Sequence, residues 1–185
     1  MILPVVAYGD PVLKKPAKPV EPGYPHLQEF IADMYETMHN ASGVGLAAPQ
    51  VGLSIRLFVV DSSSFEKEGS PGFRQVFINP EIKEEEGKEW IFNEGCLSIP
   101  GIREDIRRQP LIRIRFADEN FVLHEKTYDG MQARIIQHEY DHIEGILFTD
   151  HISPLRKRLL KKKLLDISKG IVDVDYRMKF PLAKK

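Results

Sequence analysis

The sequence predicts an α+β protein, because helical and strand periodicities occupy separate stretches of the 185-residue chain. Apolar residues recur at helical spacing in residues 27–38, whereas residues 111–117 alternate, with Ile112, Ile114 and Phe116 on one face and Arg113 and Arg115 on the other. Turn residues at 118–120 join the alternating stretch to residues 121–128, which predicts a β-hairpin. Strands flanked by a few helices are the pattern of an α+β fold.

Turn residues and apolar runs divide the first hundred residues into short elements. The predicted elements are an extended start (1–24), a helix (27–38), a glycine-rich loop (43–52), a strand (55–61), a loop (62–72), a short strand (75–80) and a mixed segment with a turn at Gly87 (84–101). The helix follows Pro25, which is expected in its first turn, and it stops at the turn-forming stretch from Asn40 to Gly43.

Two further helices are predicted after the hairpin. The first spans about residues 130–144, with Asp129 as its N-cap and Gly145 at its end. The second is marked by the dipeptide Ser153-Pro154 at its start and by Gly170 at its end.

Length and composition indicate a soluble protein whose residues 1–185 form a single domain with one core. The net charge of −1 creates no global field for nucleic acid or acidic membranes. A single cysteine excludes an internal disulfide, which favours the cytoplasm. The N-terminus lacks the pattern of a secretory signal, and no stretch is apolar enough to span a bilayer. We therefore expect a cytoplasmic protein without membrane contacts. A monomer is expected as well, although none of these features determines the oligomeric state.

The stretch QHEYDHIEGILF, residues 137–148, contains the motif H-E-x-x-H. On a helix, His138 and His142 lie about 40° apart and one turn along the axis, so both imidazoles can bind one metal ion. Glu139 lies beside them on the same broad face. A catalytic site of this type needs a third protein ligand and one open position. In the metzincin pattern the third ligand is a histidine six residues after the second one, but Phe148 occupies that position. Other zincins use a glutamate further downstream, and no Glu follows Glu144.

Upstream, Cys96 in the stretch EGCLSIPG is the only soft ligand for the third position. A lone cysteine is more often a small buried hydrophobe than a ligand, but the missing downstream ligands favour it here. The other four histidines are candidates too, although each is expected to be solvated or hydrogen-bonded: His26, His39, His124 and His151. His124 is expected to point outward from its hairpin.

The glycine-rich loop matches a dinucleotide fingerprint at Gly43, Gly45 and Ala48. That fingerprint needs a preceding strand and a following helix, whereas here a helix precedes, a strand follows and Pro49 interrupts. The better interpretation is a loop whose backbone closely approaches another group and whose Gln50 presents an amide to it.

Three motifs in this order, GVGLAAPQ (43–50), EGCLS (94–98) and QHEYDH (137–142), resemble the signature motifs of the peptide deformylase family. The resemblance spans nearly the whole chain and departs from the common pattern only locally, at Ile143 and His151. It implies mixed or antiparallel sheets around a central helix that carries H-E-x-x-H, with one helix towards each terminus. It also implies that Cys96 is the third ligand.

The reaction that the resemblance implies is hydrolysis of the N-formyl group from the initiator methionine of new proteins, with release of formate. Gln50 and the backbone N–H of Leu97 would bind the carbonyl oxygen as an oxyanion hole. Glu139 would take a proton from a water activated by the metal and then deliver it to the departing amine. The implied metal is Fe²⁺, with Ni²⁺ or Co²⁺ as substitutes, although thiolate and imidazole ligands would hold Zn²⁺ more tightly.

Five further residues are expected to contact the peptide substrate. By the resemblance, Gly45 provides backbone hydrogen bonds, and Arg103 matches an arginine associated with substrate binding. Val44, Met131 and Ile135 are expected to line a pocket for the methionine side chain, since the last two lie on the same side of the helix as the first ligand histidine.

Two rival functions arise from the same residues. A metalloendopeptidase shares H-E-x-x-H but is disfavoured by a cysteine as third ligand. A ribosome- or RNA-binding module would use the basic helix at 155–165, where Leu155, Leu159, Leu160 and Leu164 are expected to form one packed stripe. Such a basic helix could also serve an enzyme that acts on nascent chains, so the ribosome is a candidate partner.

Overall fold

The computed structural model of the chain describes residues 1–63 and 72–184, and its elements form the predicted α+β fold. The helices are α1 (Leu27–Asn40), α2 (Gly130–Ile143) and α3 (Pro154–Ser168). The strands are β1 (Val5–Val6), β2 (Gly45–Ala47), β3 (Leu57–Asp61), β4 (Arg74–Glu86), β5 (Trp90–Cys96), β6 (Ile99–Arg108), β7 (Leu111–Ala117), β8 (Leu123–Asp129) and β9 (Met178–Lys179). None of the described helices has the length and apolar character to cross a bilayer.

The largest sheet is antiparallel, with strand order β2-β3-β4-β7-β8, and it has a helix on each face. Strand β3 shows why both faces are covered, since all five of its residues are buried. Leu57 and Val59 belong to the cluster formed with α1, whereas Phe58 and Val60 belong to the cluster formed with α2. The run of four apolar residues in β3 therefore places the H-E-x-x-H helix against one face of the sheet.

Two smaller sheets complete the surroundings of α2. Strands β5 and β6 form an antiparallel hairpin with the cysteine immediately before its turn, while β1 and β9 pair in parallel and join the two terminal segments. A third core cluster ties these elements to α3 through residues such as Ile102, Ile106, Leu160 and Leu164. The cysteine turn thus lies between the terminal segments and the helix that carries the histidines.

The strands depart from the sequence prediction in the region 75–108. Strand β4 extends to Glu86 rather than ending at residue 80, because Glu81 and Glu84 lie opposite Arg115 and Arg113 in β7. Opposite charges on neighbouring strands offset the low strand propensity of these residues. The turn at Gly87 is present, but β6 and the short β2 within the glycine-rich loop were not predicted. Most of the predicted loop at 62–72 lies outside the described residues.

Helix positions agree better with the prediction than their caps do. Pro25 precedes the N-cap residue His26, so it is not in the first turn of α1, and Asp129 occupies the N-cap of α2 without a side-chain hydrogen bond. Gly145 ends α2 with φ of +75°, and the Ser153 hydroxyl caps α3 by accepting from the Arg156 N–H, as expected.

The predicted leucine stripe of α3 is wrong in its first half. Leu155 and Leu159 are 64% and 61% exposed, whereas Leu160 and Leu164 are buried. Successive residues of a helix are about 100° apart, so each exposed leucine is about 140° from the buried leucine five positions later. One face of α3 therefore packs on β6, and a second apolar face remains open to solvent among basic side chains.

Candidate active site

Three side chains with metal-binding atoms meet at the junction of α2 and the β5–β6 turn. Cys96 ends β5, while His138 and His142 lie one turn apart on α2. The ligand atoms of these residues all lie within 4.8 Å of one another, and the Cys96 Sγ is 3.3 Å from the His142 Nε2. Among the described residues, this is the one cluster of three or more such side chains that could hold an ion.

Glu94 fixes the orientation of His138. The His138 Nδ1–H donates to the Glu94 Oε1 at 2.9 Å, because an ionised carboxylate can only accept. That hydrogen bond leaves the Nε2 lone pair of the same ring free to bind a metal. A carboxylate on the far nitrogen is the usual support of a histidine ligand, since it sets both the tautomer and the ring plane.

Two arginines hold Glu94 in the ionised state. Although burial by itself raises the pKa of Glu94, hydrogen bonds from His138 and Arg108 outweigh that effect and keep this pKa well below its usual range. Arg108 donates through Nε and Nη2 at 2.8 and 3.1 Å, and the Arg134 Nη1 donates at 2.8 Å. The Arg108 Nη1 also reaches Asp141, which links the network to the loop after α2 through His151. The carboxylate behind the ligand histidine is therefore charged and rigidly held.

Glu139 is the buried carboxyl group closest to the predicted chemistry. Burial raises its pKa to about 7, because a charged carboxylate is poorly solvated in this pocket. Its Oε2 has no hydrogen-bond partner among the described residues. A Cβ at Gly45 would lie 2.5 Å from the Glu139 Oε1, so only glycine lets β2 pass so close to this side chain. The close backbone approach expected of the glycine-rich loop occurs here.

The side-chain amide of Gln50 has a defined direction. Its Oε1 accepts from the Ala47 N–H at 2.8 Å, which turns its NH₂ group towards the Cys96 Sγ and the Ser98 hydroxyl, each at 3.4 Å. The residue is 1% exposed, so this orientation is enforced by packing as well. Leu97 lies in the same turn and also lines the pocket. The structure thus brings both predicted oxyanion-binding residues to the rim of the ligand cluster.

A pocket of about 710 Å³ opens beside the three ligands. Its walls include all five of the predicted substrate-contact residues: Val44, Gly45, Arg103, Met131 and Ile135. The Arg103 guanidinium donates to the Asn93 side chain and backbone at the outer edge, where it remains exposed. Apolar residues therefore line the pocket near α2, and a cation lies at its rim.

The donor set fits a metal ion with one open position. One thiolate and two imidazoles are typical soft and borderline ligands for Zn²⁺ or Fe²⁺, and three protein ligands leave a fourth site for a small molecule. Glu139 lines the same pocket, and its buried Oε2 has no partner among the described residues, so a group able to accept a proton lies beside the ligands.

The other four histidines are hydrogen-bonded or exposed, as predicted. His39, His124 and His151 each pair with an aspartate, at 3.0, 2.7 and 2.8 Å, and His26 is exposed. His124 does not point outward, since it lies opposite Phe116 in the sheet and stacks on that ring at 5.4 Å. At this edge of the aromatic core, Asp118 satisfies the ring nitrogen of His124.

Sequence reasoning assigned no role to Glu94, Arg108 or Arg134. One signal for them was present, because Arg134 precedes His138 by four residues and therefore shares its helix face. A charged residue on an otherwise apolar face needs a buried partner. The partner itself, on another strand, is revealed only by the tertiary structure.

An α+β fold with H-E-x-x-H on a central helix, a third ligand from a hairpin turn and a buried glutamate is the arrangement expected of a metal-dependent hydrolase. The model of the polypeptide deformylase family matches residues 2–158 of the chain. The chain therefore belongs to the peptide deformylase family, whose members are enzymes that act on N-formyl-methionyl peptides.

Individual relatives agree with this assignment. The chain is 59% identical to a peptide deformylase of Christiangramia forsetii, over 100% of this chain and 99% of the relative. It is 58% identical to that of Cytophaga hutchinsonii, over the whole of both chains. The crystal structure of a peptide deformylase from Legionella pneumophila superposes with a TM-score of 0.81 and 39% identity, covering 92% of this chain and 98% of that one. Removal of formyl groups from nascent peptides follows from family membership.

Proposed function

We propose that the protein hydrolyses the N-formyl group of N-terminal formyl-methionine by a metal-dependent mechanism and releases formate. The observation that carries this proposal is the convergence of Cys96, His138 and His142 beside the buried Glu139, in a pocket that is partly lined by apolar residues. Residues 1–185 would act as one catalytic domain, as a monomer in the cytoplasm.

The protein groups have distinct roles in this proposal. A bound metal would polarise the attacking water and the formyl carbonyl. Glu139, with its pKa near 7, would accept the proton of that water and return it to the leaving amine. The Gln50 amide and the Leu97 N–H would donate to the oxygen on which negative charge develops. The Gln50 amide is already oriented by its bond to the Ala47 N–H, so this donor needs little reorganisation during the reaction.

Substrate binding would use the remaining residues of the pocket. Val44, Met131 and Ile135 would contact the methionine side chain, since they form its apolar wall. The backbone of Gly45 would hydrogen-bond the peptide, and Arg103 would contact the chain where it leaves the pocket. The thioether of methionine suits such an apolar wall because it is flexible and polarisable.

The assay that tests this function compares peptides of one sequence that begin with formyl-Met, acetyl-Met or unmodified Met. Formate and a free amine should appear from the first peptide only, because the methyl group of an acetyl would collide with the pocket end formed by Gly45, Leu97 and the ligands. An internal peptide bond is bulkier still, so no internal fragments should form. Comparable cleavage of the acetylated peptide, or internal fragments that disappear in the Glu139→Gln variant, would favour a peptidase instead.

For the metal, we propose Fe²⁺ in the cell, with Ni²⁺, Co²⁺ or Zn²⁺ as substitutes. Cys96 is only partly buried, so its sulfur is accessible to oxidants. Air or peroxide should therefore inactivate iron-loaded protein faster than nickel-loaded protein, because iron and its thiolate ligand both oxidise. The measurement is the half-life of activity for each form, together with the metal content of protein purified without air. Equal half-lives would contradict iron as the working metal.

We also propose that the exposed face of α3 contacts the ribosome. Lys161, Lys162 and Lys163 are exposed on α3, which also carries the exposed Leu155 and Leu159, whereas Arg156 is already paired with Glu104. Exposed lysines can neutralise RNA phosphates, and this binding should weaken as salt concentration rises.

Changing these three lysines to Glu should reduce co-sedimentation with ribosomes at low salt and leave hydrolysis of a short formyl peptide within a factor of about two, since α3 packs through its other face. Substitution is preferable to truncation, because removing α3 would expose buried Leu160 and Leu164. Lys126→Glu, an exposed site on β8, is the matched control. Unchanged co-sedimentation of the triple variant would leave α3 with a packing role only.

A further inference from the structure

The segment after α3 returns to the active site, although it lies beyond residues 2–158 that match the family. Half-buried side chains alternate with exposed ones from residue 172 to residue 180, so one edge of this extended segment packs on the protein. Its end pairs with β1 as strand β9, where the Val5 N–H donates to the Arg177 carbonyl and the Ala7 N–H donates to the Lys179 carbonyl, both at 2.9 Å. Tyr176 of this segment lines the pocket.

The two terminal segments hold the turn that carries the proposed oxyanion donor. Cys96 pairs with Ile99, so Leu97 and Ser98 are the two turn residues between β5 and β6. The Ser98 carbonyl accepts from the Tyr8 backbone N–H at 2.8 Å. The Leu97 carbonyl accepts from the Tyr176 hydroxyl at 2.7 Å. Both carbonyls of the turn are thus held from outside the hairpin, one by the segment after β1 and one by the segment before β9.

We propose that Tyr176 is a positioning residue, which fixes Leu97 so that its N–H points at the developing oxyanion. The inference rests on the proposed function, because it concerns the donor used in deformylation. The N–H and the carbonyl of Leu97 flank one Cα, and only the two backbone dihedrals of that residue separate them. Holding the carbonyl therefore restricts the rotations through which the N–H could leave its position.

The bond from Tyr176 is suited to this task. A backbone carbonyl can only accept, so the phenol must donate, and burial raises the pKa of Tyr176 so that the hydroxyl keeps its proton. The ring is half-buried, and Val172, Met178 and Phe180 pack against the third core cluster, which anchors the segment before and after Tyr176. An oxyanion donor must be in place before the reaction, and removing one costs about 10²–10³-fold in kcat.

Tyr176→Phe tests the hydroxyl while keeping the ring. We expect kcat to fall roughly ten-fold, because a loosened donor retains part of its effect, with KM within a factor of about two and metal content unchanged. Tyr24→Phe, at a half-buried tyrosine that packs against the cluster around α1, is the matched control and should leave kcat unchanged. If the ring of Tyr176 merely filled space, Tyr176→Ala would lose activity and Tyr176→Phe would keep the activity of the unmodified protein. We expect instead that Tyr176→Phe also loses activity.

A second measurement follows the Leu97 amide directly, by ¹⁵N relaxation in zinc-loaded protein, which is diamagnetic. Tyr176→Phe should increase the mobility of this amide, whereas Tyr24→Phe should not. The result does not depend on turnover, so an absence of deformylation in the unmodified protein would refute the proposed function without deciding the role of Tyr176. An unchanged Leu97 amide together with unchanged kcat, or a loss of kcat explained by loss of metal, would overturn the inference.

Discussion

Replacing Glu139 with Gln should abolish most deformylation while metal binding stays roughly stoichiometric. Gln has nearly the same shape, and a neutral amide suits a buried site where the carboxyl group already has a raised pKa of about 7. An amide cannot accept the proton of the attacking water or return it to the amine. General acid–base catalysis contributes about 10²–10⁴-fold, and Glu139 would act in both steps, so we expect kcat to fall by at least about 10³-fold.

Metal content and kcat, measured on the same samples, separate this role from that of a ligand. Cys96→Ala and His142→Ala should lose both metal and activity, since each removes one of three ligands. Glu144→Gln is the matched control, because this residue follows α2 and pairs with Arg56 at 2.6 Å. Its kcat should stay close to that of the unmodified protein. Metal loss from Glu139→Gln would show that Glu139 is a ligand rather than the base.

Replacing Gly45 with Ala should be nearly as damaging to activity, for a steric reason. The added Cβ would lie 2.7 and 2.8 Å from the Cγ and Cδ of Glu139, and β2 is held in place by its pairing with β3. Glu139 must therefore move, and a displacement of about 1 Å at a catalytic group can cost about 10²-fold in rate. We expect a loss of that order in kcat/KM, with about 1–3 kcal/mol of lost folding stability from overpacking.

A double-mutant cycle shows whether the collision with Glu139 is the cause. In a Glu139→Ala background the space is free, so Gly45→Ala should cost much less in the free energy of unfolding than it does in the unmodified protein. Urea denaturation of the four proteins measures this coupling. An equal cost in both backgrounds would place the strain in the backbone of β2 instead.

The sequence predicts best those elements whose burial follows a simple periodicity. Strand β7 alternates from Ile112 to Phe116, and α1 repeats apolar residues at helical spacing, so both agree closely with their predicted ranges. Strand β6 escaped prediction because its inward positions include Glu104 and Arg108, which are buried at 8% and 7% exposure. Each becomes tolerable inside only through a partner elsewhere in the chain, namely Arg156 for the first and Glu94 for the second.

The same distinction applies to the candidate site. Local sequence determined that His138 and His142 share a helix face, because their spacing matches one turn of an α-helix. The three motifs also determined the family, and with it Cys96 as the expected third ligand. Only the tertiary structure decided the contacts between distant segments. Glu94 accepts from a ligand histidine, Gly45 lies against Glu139, and Tyr176 donates to the Leu97 carbonyl. Periodicity reports which face of an element is buried, whereas the partner of that face depends on how the sheets and both terminal segments pack together.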